Sequence, residues 1–166
     1  MEFQLKVLSK DAIPAALERA ERYRLLNEPV QAESICLDIL AVDPDNQRAI
    51  VLFLLSISEQ LNRNLMENLD RGAALLPRLT DGYQRLYYQG VLYERVARVY
   101  LARSTSGSAF AAFDLFREAM RLFEEAERIR PVGNDEAVLR WNTCARTVMA
   151  FHLTEQPFDD FRPILE

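Results

Sequence analysis

The sequence predicts an all-α protein with about seven helices. Through most of the chain, apolar residues recur at three- and four-residue spacings, which is the pattern of amphipathic helices. The 166 residues include only 5 Gly and 7 Pro, too few for the frequent turns of a many-stranded sandwich or barrel. The Pro, Asn and Asp residues fall between the helical segments, where they end one helix or begin the next. This length also suits a single domain.

The seven predicted helices are separated by short turns. Their predicted ranges are 11–26, 29–42, 47–61, 64–76, 81–103, 109–130 and 135–151. Residues 1–10 are predicted to be an N-terminal extension, residues 11–152 the helical domain, and residues 153–166 a C-terminal tail.

The stretch AVDPDN at 41–46 lies between the second and third helices. Its oxygens resemble the start of a calcium loop, but no Gly follows at the sharp turn, and Leu54 stands where that loop has its last Glu. We therefore interpret Asp43 and Asn46 as a helix stop and a helix cap.

An internal repeat appears in the spacing of small, large and Pro residues. The two segments that share this spacing are Ala32-x3-Cys36-x2-Ile39-x4-Pro44 and Ala119-x3-Phe123-x2-Ala126-x4-Pro131. A small Ala lets paired helices approach, a larger residue fills the space between them, and Pro ends the pair at a fixed length.

These residues resemble the tetratricopeptide repeat (TPR), a helix-turn-helix unit of about 34 residues. Leu86, Gly90 and Tyr93, in the predicted fifth helix, stand at positions that define the first helix of that repeat. Trp141 stands at such a position in the predicted seventh helix. The resemblance implies a right-handed superhelix of antiparallel helical hairpins, a TPR-like α-solenoid with about three and a half degenerate repeats. Between Tyr93 and Ala119 the repeat is stretched, which predicts a longer fifth and sixth helix.

Charge and residue usage argue against several classes of function. A net charge of −5 and a pI near 5.1 predict no nucleic-acid partner and no membrane partner. The single His, His152, and the absence of phosphate-binding motifs predict no catalytic residues, no cofactor and no metal. Cys36 and Cys144 are predicted to be buried free thiols, and we expect a cytoplasmic location because no signal-peptide pattern begins the chain.

The resemblance places a binding surface on the concave face of the superhelix, lined by the first helix of each pair. The residues assigned to this peptide-binding groove are Leu17, Glu21, Arg48, Val51, Leu52, Leu55, Tyr87, Tyr88, Val91, Arg95, Asn142 and Arg146, with Glu18, Arg24 and Thr143 beside them. The sequence leaves two interpretations of Tyr87 and Tyr88: they line the groove, or they pack in the core. Arg95 and Arg146 likewise either receive a carboxylate from a partner or pair with Glu59 and Glu94.

The function expected from these features is protein or peptide binding in the groove without catalysis. The partner is of unknown identity. The alternatives are a dedicated secretion-type or assembly chaperone that holds one client protein, and a small-ligand or enzymatic domain with a deep polar pocket.

The tail at 153–166 carries Phe158, Phe161, Ile164 and Leu165 among acidic residues. Because such apolar residues are costly to leave exposed, we predict that the tail docks on the chain's own helices or in the groove of a neighbouring copy. The second arrangement would make a homodimer.

Overall fold

The computed structural model describes residues 3–103, 105 and 107–156. Within these residues the chain forms seven α-helices and no strands, which confirms the predicted all-α class. The helices are α1 (Ile13–Leu25), α2 (Pro29–Val42), α3 (Gln47–Ser58), α4 (Leu65–Leu75), α5 (Gly82–Arg103), α6 (Ser108–Arg128) and α7 (Glu136–Ala150). Short 3-10 turns at Lys10–Ala12 and Leu76–Arg78 precede α1 and follow α4.

Side-chain caps set the starts of α3 and α5. The Asn46 side chain accepts a hydrogen bond from the Ala49 amide at 3.0 Å and donates to Asp43 at 2.9 Å. This geometry confirms that AVDPDN joins two helices. Asp81 caps α5 in the same way, because its Oδ1 accepts from the Tyr83 amide at 2.8 Å.

The third helix is shorter than its predicted range of 47–61. It ends at Ser58, and the Gln60 amide bonds back to Ile57 in a tighter turn. The Asn68 side chain in α4 donates to the Gln60 carbonyl at 3.0 Å, so a residue of the next helix stabilises this early end.

The fifth and sixth helices are extended, as the stretched repeat predicts. They contain 22 and 21 residues. At Gly90 the two helices approach closely, since an added Cβ atom would lie 2.7 Å from the Phe123 ring. Glycine is required at this crossing because a larger side chain has no room.

Two large apolar clusters and one small cluster form the core of the described residues. The first joins α1, α2 and α3 with parts of α4 and α5, and the second joins α5, α6 and α7. Tyr88 packs against both clusters. Each helix contacts the next one in sequence, and α1 contacts α3 while α3 contacts α5.

The end of α7 anchors the start of the tail. His152 has a φ of 51°, and the Leu153 amide donates to the Val148 carbonyl at 3.0 Å in a Schellman-type cap. Leu153 is buried in the second cluster. The predicted docking of the tail concerns mainly 157–166, which lie outside the described residues.

Candidate functional site

A cleft of about 340 Å³ is lined by side chains from α1, α3, α5 and α7. These are the odd-numbered helices, which the sequence assigned to the groove. The lining residues are Glu21, Arg24, Arg48, Val51, Leu52, Leu55, Tyr87, Tyr88, Arg95, Glu136 and Arg140. The cleft therefore combines an apolar surface with four arginines and two glutamates.

The apolar part of the cleft comes from α3 and α5. Val51 and Leu55 are half-buried, so part of each side chain is open to the cleft. The Tyr87 and Tyr88 rings meet edge to face, with centroids 5.1 Å apart. Both tyrosines therefore pack in the core and also line the cleft.

Burial disfavours ionisation of the Tyr88 phenol. It raises the pKa of Tyr88 to about 12, and the neighbouring Tyr87 adds to this effect. A neutral phenol can donate a hydrogen bond as well as accept one.

An ion-pair network joins three helices beside the cleft. Glu59, the C-cap residue of α3, accepts from Arg24 Nη1 at 2.7 Å and from Arg95 Nη2 at 3.4 Å, both at its Oε1 atom. The two guanidinium groups therefore lie side by side around one carboxylate oxygen. The Nε atoms of both arginines are buried and have no hydrogen-bond partner among the described residues.

A second network joins α5 to α7. Glu94 is 1 % exposed, and its two carboxylate oxygens accept from Arg98 at 3.0 Å and from Arg140 at 3.1 Å. This buried carboxylate holds Arg140 beside the cleft. At the opposite side, Arg48 pairs with Glu21 at 2.6 Å on a more exposed surface.

Eight of the twelve residues assigned to the groove line this one cleft. They are Glu21, Arg48, Val51, Leu52, Leu55, Tyr87, Tyr88 and Arg95. Arg24, which was projected beside them, also lines it. The contact between Arg95 and Glu59 shows that this arginine has a partner within the chain, one of its two predicted interpretations.

Four assigned residues lie elsewhere. Leu17 and Val91 are 7 % and 0 % exposed and belong to the two core clusters, so they offer little or no surface to a partner. Asn142 and Arg146 lie on α7 but do not line the cleft. These four residues therefore do not line the cleft.

The rotation of α7 about its axis explains why Asn142 and Arg146 do not line the cleft. Ala137 and Cys144 are its buried residues, which turns Glu136 and Arg140 toward the cleft. These two residues were not predicted. Glu136 and Arg140 are four residues apart and therefore share one face of the helix, next to Ala137. The sequence could have indicated this face, but Trp141 was used to align the seventh helix with the repeat.

A shallower extension continues the cleft along α7. Tyr87, Glu136 and Arg140 are shared with this extension, and Leu139 and Thr143 complete it. Leu139 is 64 % exposed, so the extension adds an accessible apolar side chain.

Two further properties of the described residues bear on the site. No group of three or more His, Cys, Asp and Glu side chains among them is placed to hold a metal ion. None of the helices in the described ranges is long and apolar enough to cross a membrane.

Comparison of the chain with protein-family models, with curated proteins and with solved structures found no match.

Proposed function

We propose that this chain is a protein-interaction module that binds a peptide or protein segment in the cleft between α1, α3, α5 and α7, without catalysing a reaction. The observation that carries the proposal is the convergence of residues from four helices on one surface that is both apolar and charged. Recognition surfaces commonly combine apolar anchors with a few placed polar groups.

The lining of the cleft and its extension along α7 favour a peptide over a small molecule. Val51, Leu55 and Tyr88 offer partly exposed apolar surface, while the arginines stand around it. The extension past Leu139 lengthens the surface along α7, which suits an elongated segment.

The architecture that we propose for this module is a right-handed superhelix of helical hairpins similar to the tetratricopeptide repeat. The contacts of α1 with α3 and of α3 with α5 support stacking of alternate helices. In such a stack the alternate helices line one common face, where the cleft lies.

Blocking the cleft by size tests the binding proposal without changing its charge. In Val51→Trp a large ring would occupy the space beside Leu55, so the full chain should no longer capture partners from a lysate of its native organism. Met66→Trp is the matched control, because Met66 is 64 % exposed on α4 and does not line the cleft.

Circular dichroism should show the same helicity for both variants. If Val51→Trp retains every partner that the unmodified chain captures, the cleft is not the binding surface. A captured partner that is insoluble when expressed alone would favour the chaperone alternative.

A further inference from the structure

Three large apolar side chains near the start of the chain are open to solvent. Phe3, Leu5 and Val7 are 79 %, 83 % and 87 % exposed. They belong to residues 3–8, which precede the first helical turn and which we call the N-terminal segment. Large apolar residues that stand exposed together mark an interaction site.

The N-terminal segment presents its apolar side chains away from the helices of its own chain. The three residues alternate with polar ones, and in an extended chain side chains two residues apart point to the same side. No backbone hydrogen bond joins residues 3–8 to the rest of the described chain. Leu8, which belongs to the opposite side, packs against the first apolar cluster. The apolar side of the segment is therefore available to another surface.

A pocket of about 290 Å³ lies between α1 and α2, beside the point where the segment joins the helices. We call it the N-terminal pocket. Its charged lining residues are Arg19 and Asp38, and its apolar ones are Leu8, Ala12, Ala15, Ala16 and Ile35. The three alanines leave room that larger apolar side chains can fill. All of these residues lie within 8–38, so no later helix covers the pocket.

We propose that two copies of this chain form a dimer in which the N-terminal segment of each copy lies in the N-terminal pocket of the other. Phe3, Leu5 and Val7 pack on the alanines and on Ile35 of the second copy. The same two surfaces then meet twice, as a two-fold symmetric interface requires. This dimer uses neither the cleft nor residues 157–166.

The length of the segment matches the length of the pocket. From Leu8 to Phe3 an extended chain spans about 17 Å. Ala12 and Arg19 are the first and last lining residues along α1, and they lie about 10 Å apart at the helical rise of about 1.5 Å per residue. The segment can therefore cross from one copy to the other and still span the pocket.

The pocket of one copy is poorly placed to take the segment of the same copy. Leu8 is part of the pocket wall, so the chain would have to reverse its direction directly before this residue. Residues 1–12 contain no glycine or proline for such a tight turn. Exchange of segments between two copies needs no reversal.

Charge sets the register of the segment in the pocket. Residues 3–10 contain both lysines of the chain and no acidic residue, although the protein carries a net charge of −5. Lys6 is attracted by Asp38 and repelled by Arg19, so the segment lies with Lys6 at the Asp38 side of the pocket. The flexible stem of Lys6 lets its ammonium group reach the rim while the apolar side chains point inward.

Sedimentation equilibrium of the full chain at several concentrations tests the dimer. We expect the mass to rise with concentration from 19.2 kDa toward twice this value. Leu5→Ser should raise the dissociation constant at least about tenfold, because it removes an apolar anchor from both halves of the interface. Leu25→Ser is the matched control and should leave the constant unchanged, since Leu25 is also exposed but does not line the pocket.

Reversing two charges shows whether the contact is made between copies. Lys6→Glu and Asp38→Lys should each weaken dimerisation several-fold, because each variant alone brings like charges together at both contacts. A mixture of the two single variants should dimerise like the unmodified chain, since opposite charges then meet at both contacts of the mixed dimer. Both positions are exposed, so circular dichroism should show unchanged helicity.

Three results would overturn the inference. The first is a mass of 19.2 kDa at every concentration up to about 1 mM. In that case a lower melting temperature of Leu5→Ser would show that the segment packs on its own chain, and an unchanged one would leave the segment for a different partner. The second is a dimer that Leu5→Ser leaves intact, and the third is a mixture of the charge variants that does not recover.

The dimer and the proposed peptide binding can fail separately. Val51 lines the cleft and not the N-terminal pocket, so Val51→Trp should leave the mass of the dimer unchanged. Leu5→Ser should likewise retain the partners that the cleft captures. A loss of dimerisation in Val51→Trp would place the interface in the cleft and would contradict the exchange of segments.

Discussion

Gly90 shows how one residue determines the spacing of two helices. It stands in the middle of α5, where glycine is normally a poor choice because of its backbone freedom. The Phe123 ring of α6 lies where a Cβ atom would be, with its nearest atoms at 2.7 and 2.9 Å. The large ring and the absent side chain thus form a complementary pair.

We expect Gly90→Ala to destabilise the protein, because the added methyl would push α5 from α6 by overpacking, which costs about 1–3 kcal/mol. The gain of about 1 kcal/mol that Ala brings in helix propensity offsets part of this cost, so the net loss is up to about 2 kcal/mol. The free energy of unfolding from urea titration measures the change.

Gly82→Ala is the control for that experiment. At the first residue of α5 a Cβ would meet only Ile129 at 3.8 Å, an ordinary contact. This variant should be neutral or slightly stabilising. Equal stability of the two variants would contradict the close approach at Gly90.

The seventh helix illustrates, at the scale of an element, how far prediction from sequence reaches. Its existence follows from apolar periodicity, and its start after Asn134 follows from capping chemistry; the Asn134 side chain accepts from the Glu136 amide at 3.0 Å. The helix therefore lies where it was predicted. The rotation of α7 about its axis depends on contacts with α5 and α6. The spacing of the apolar residues within α7 does not specify these contacts.

The same rotation predicts different roles for two arginines on α7. Arg140→Gln removes one of the two partners of buried Glu94, so we expect it to destabilise the protein by about 1–3 kcal/mol. Arg146→Gln changes an exposed residue away from the cleft and should fall within about 0.5 kcal/mol of the unmodified chain.

Thermal and urea unfolding of both α7 variants, with helicity as a check on folding, measure this difference. A larger loss for Arg146→Gln than for Arg140→Gln would show that α7 presents the face first assigned to the groove.

At the scale of the whole molecule, buried neutral groups make stability depend on alkaline pH. Cys36 and Cys144 are both fully buried, and burial raises the pKa of each thiol to about 12. The unfolded chain releases these protons near pH 9.0, where the folded chain still holds them. The stabilising contribution is therefore complete below that pH and is lost as pH rises toward 12.

We expect the free energy of unfolding to fall between about pH 9 and 10.5, by about 1.4 kcal/mol per pH unit for each thiol. Urea titrations at several pH values measure the slope. The double variant Cys36→Ala/Cys144→Ala should be less stable at neutral pH but should show a shallower slope. If the double variant has the same slope as the unmodified chain, the thiols ionise equally in the folded and unfolded states.

Across the whole molecule, alternate helices contribute to one surface. The networks around Glu59 and Glu94 connect α1, α3, α5 and α7 without involving the helices between them. Both glutamates were named from sequence as partners for the groove arginines. Their burial and their double pairing required the tertiary arrangement.

The sequence by itself determined the all-α class, the approximate helix ranges, the cap at Asn46, and the unusual length of α5 and α6. These features depend on local periodicity and on contacts within a few residues of chain. Only the tertiary structure decided that Val91 is core, that Arg140 faces the cleft, and that Arg24 and Arg95 meet at Glu59. The physical reason is that the rotation of a helix, and the partner of a long charged side chain, are set by packing between elements distant in sequence.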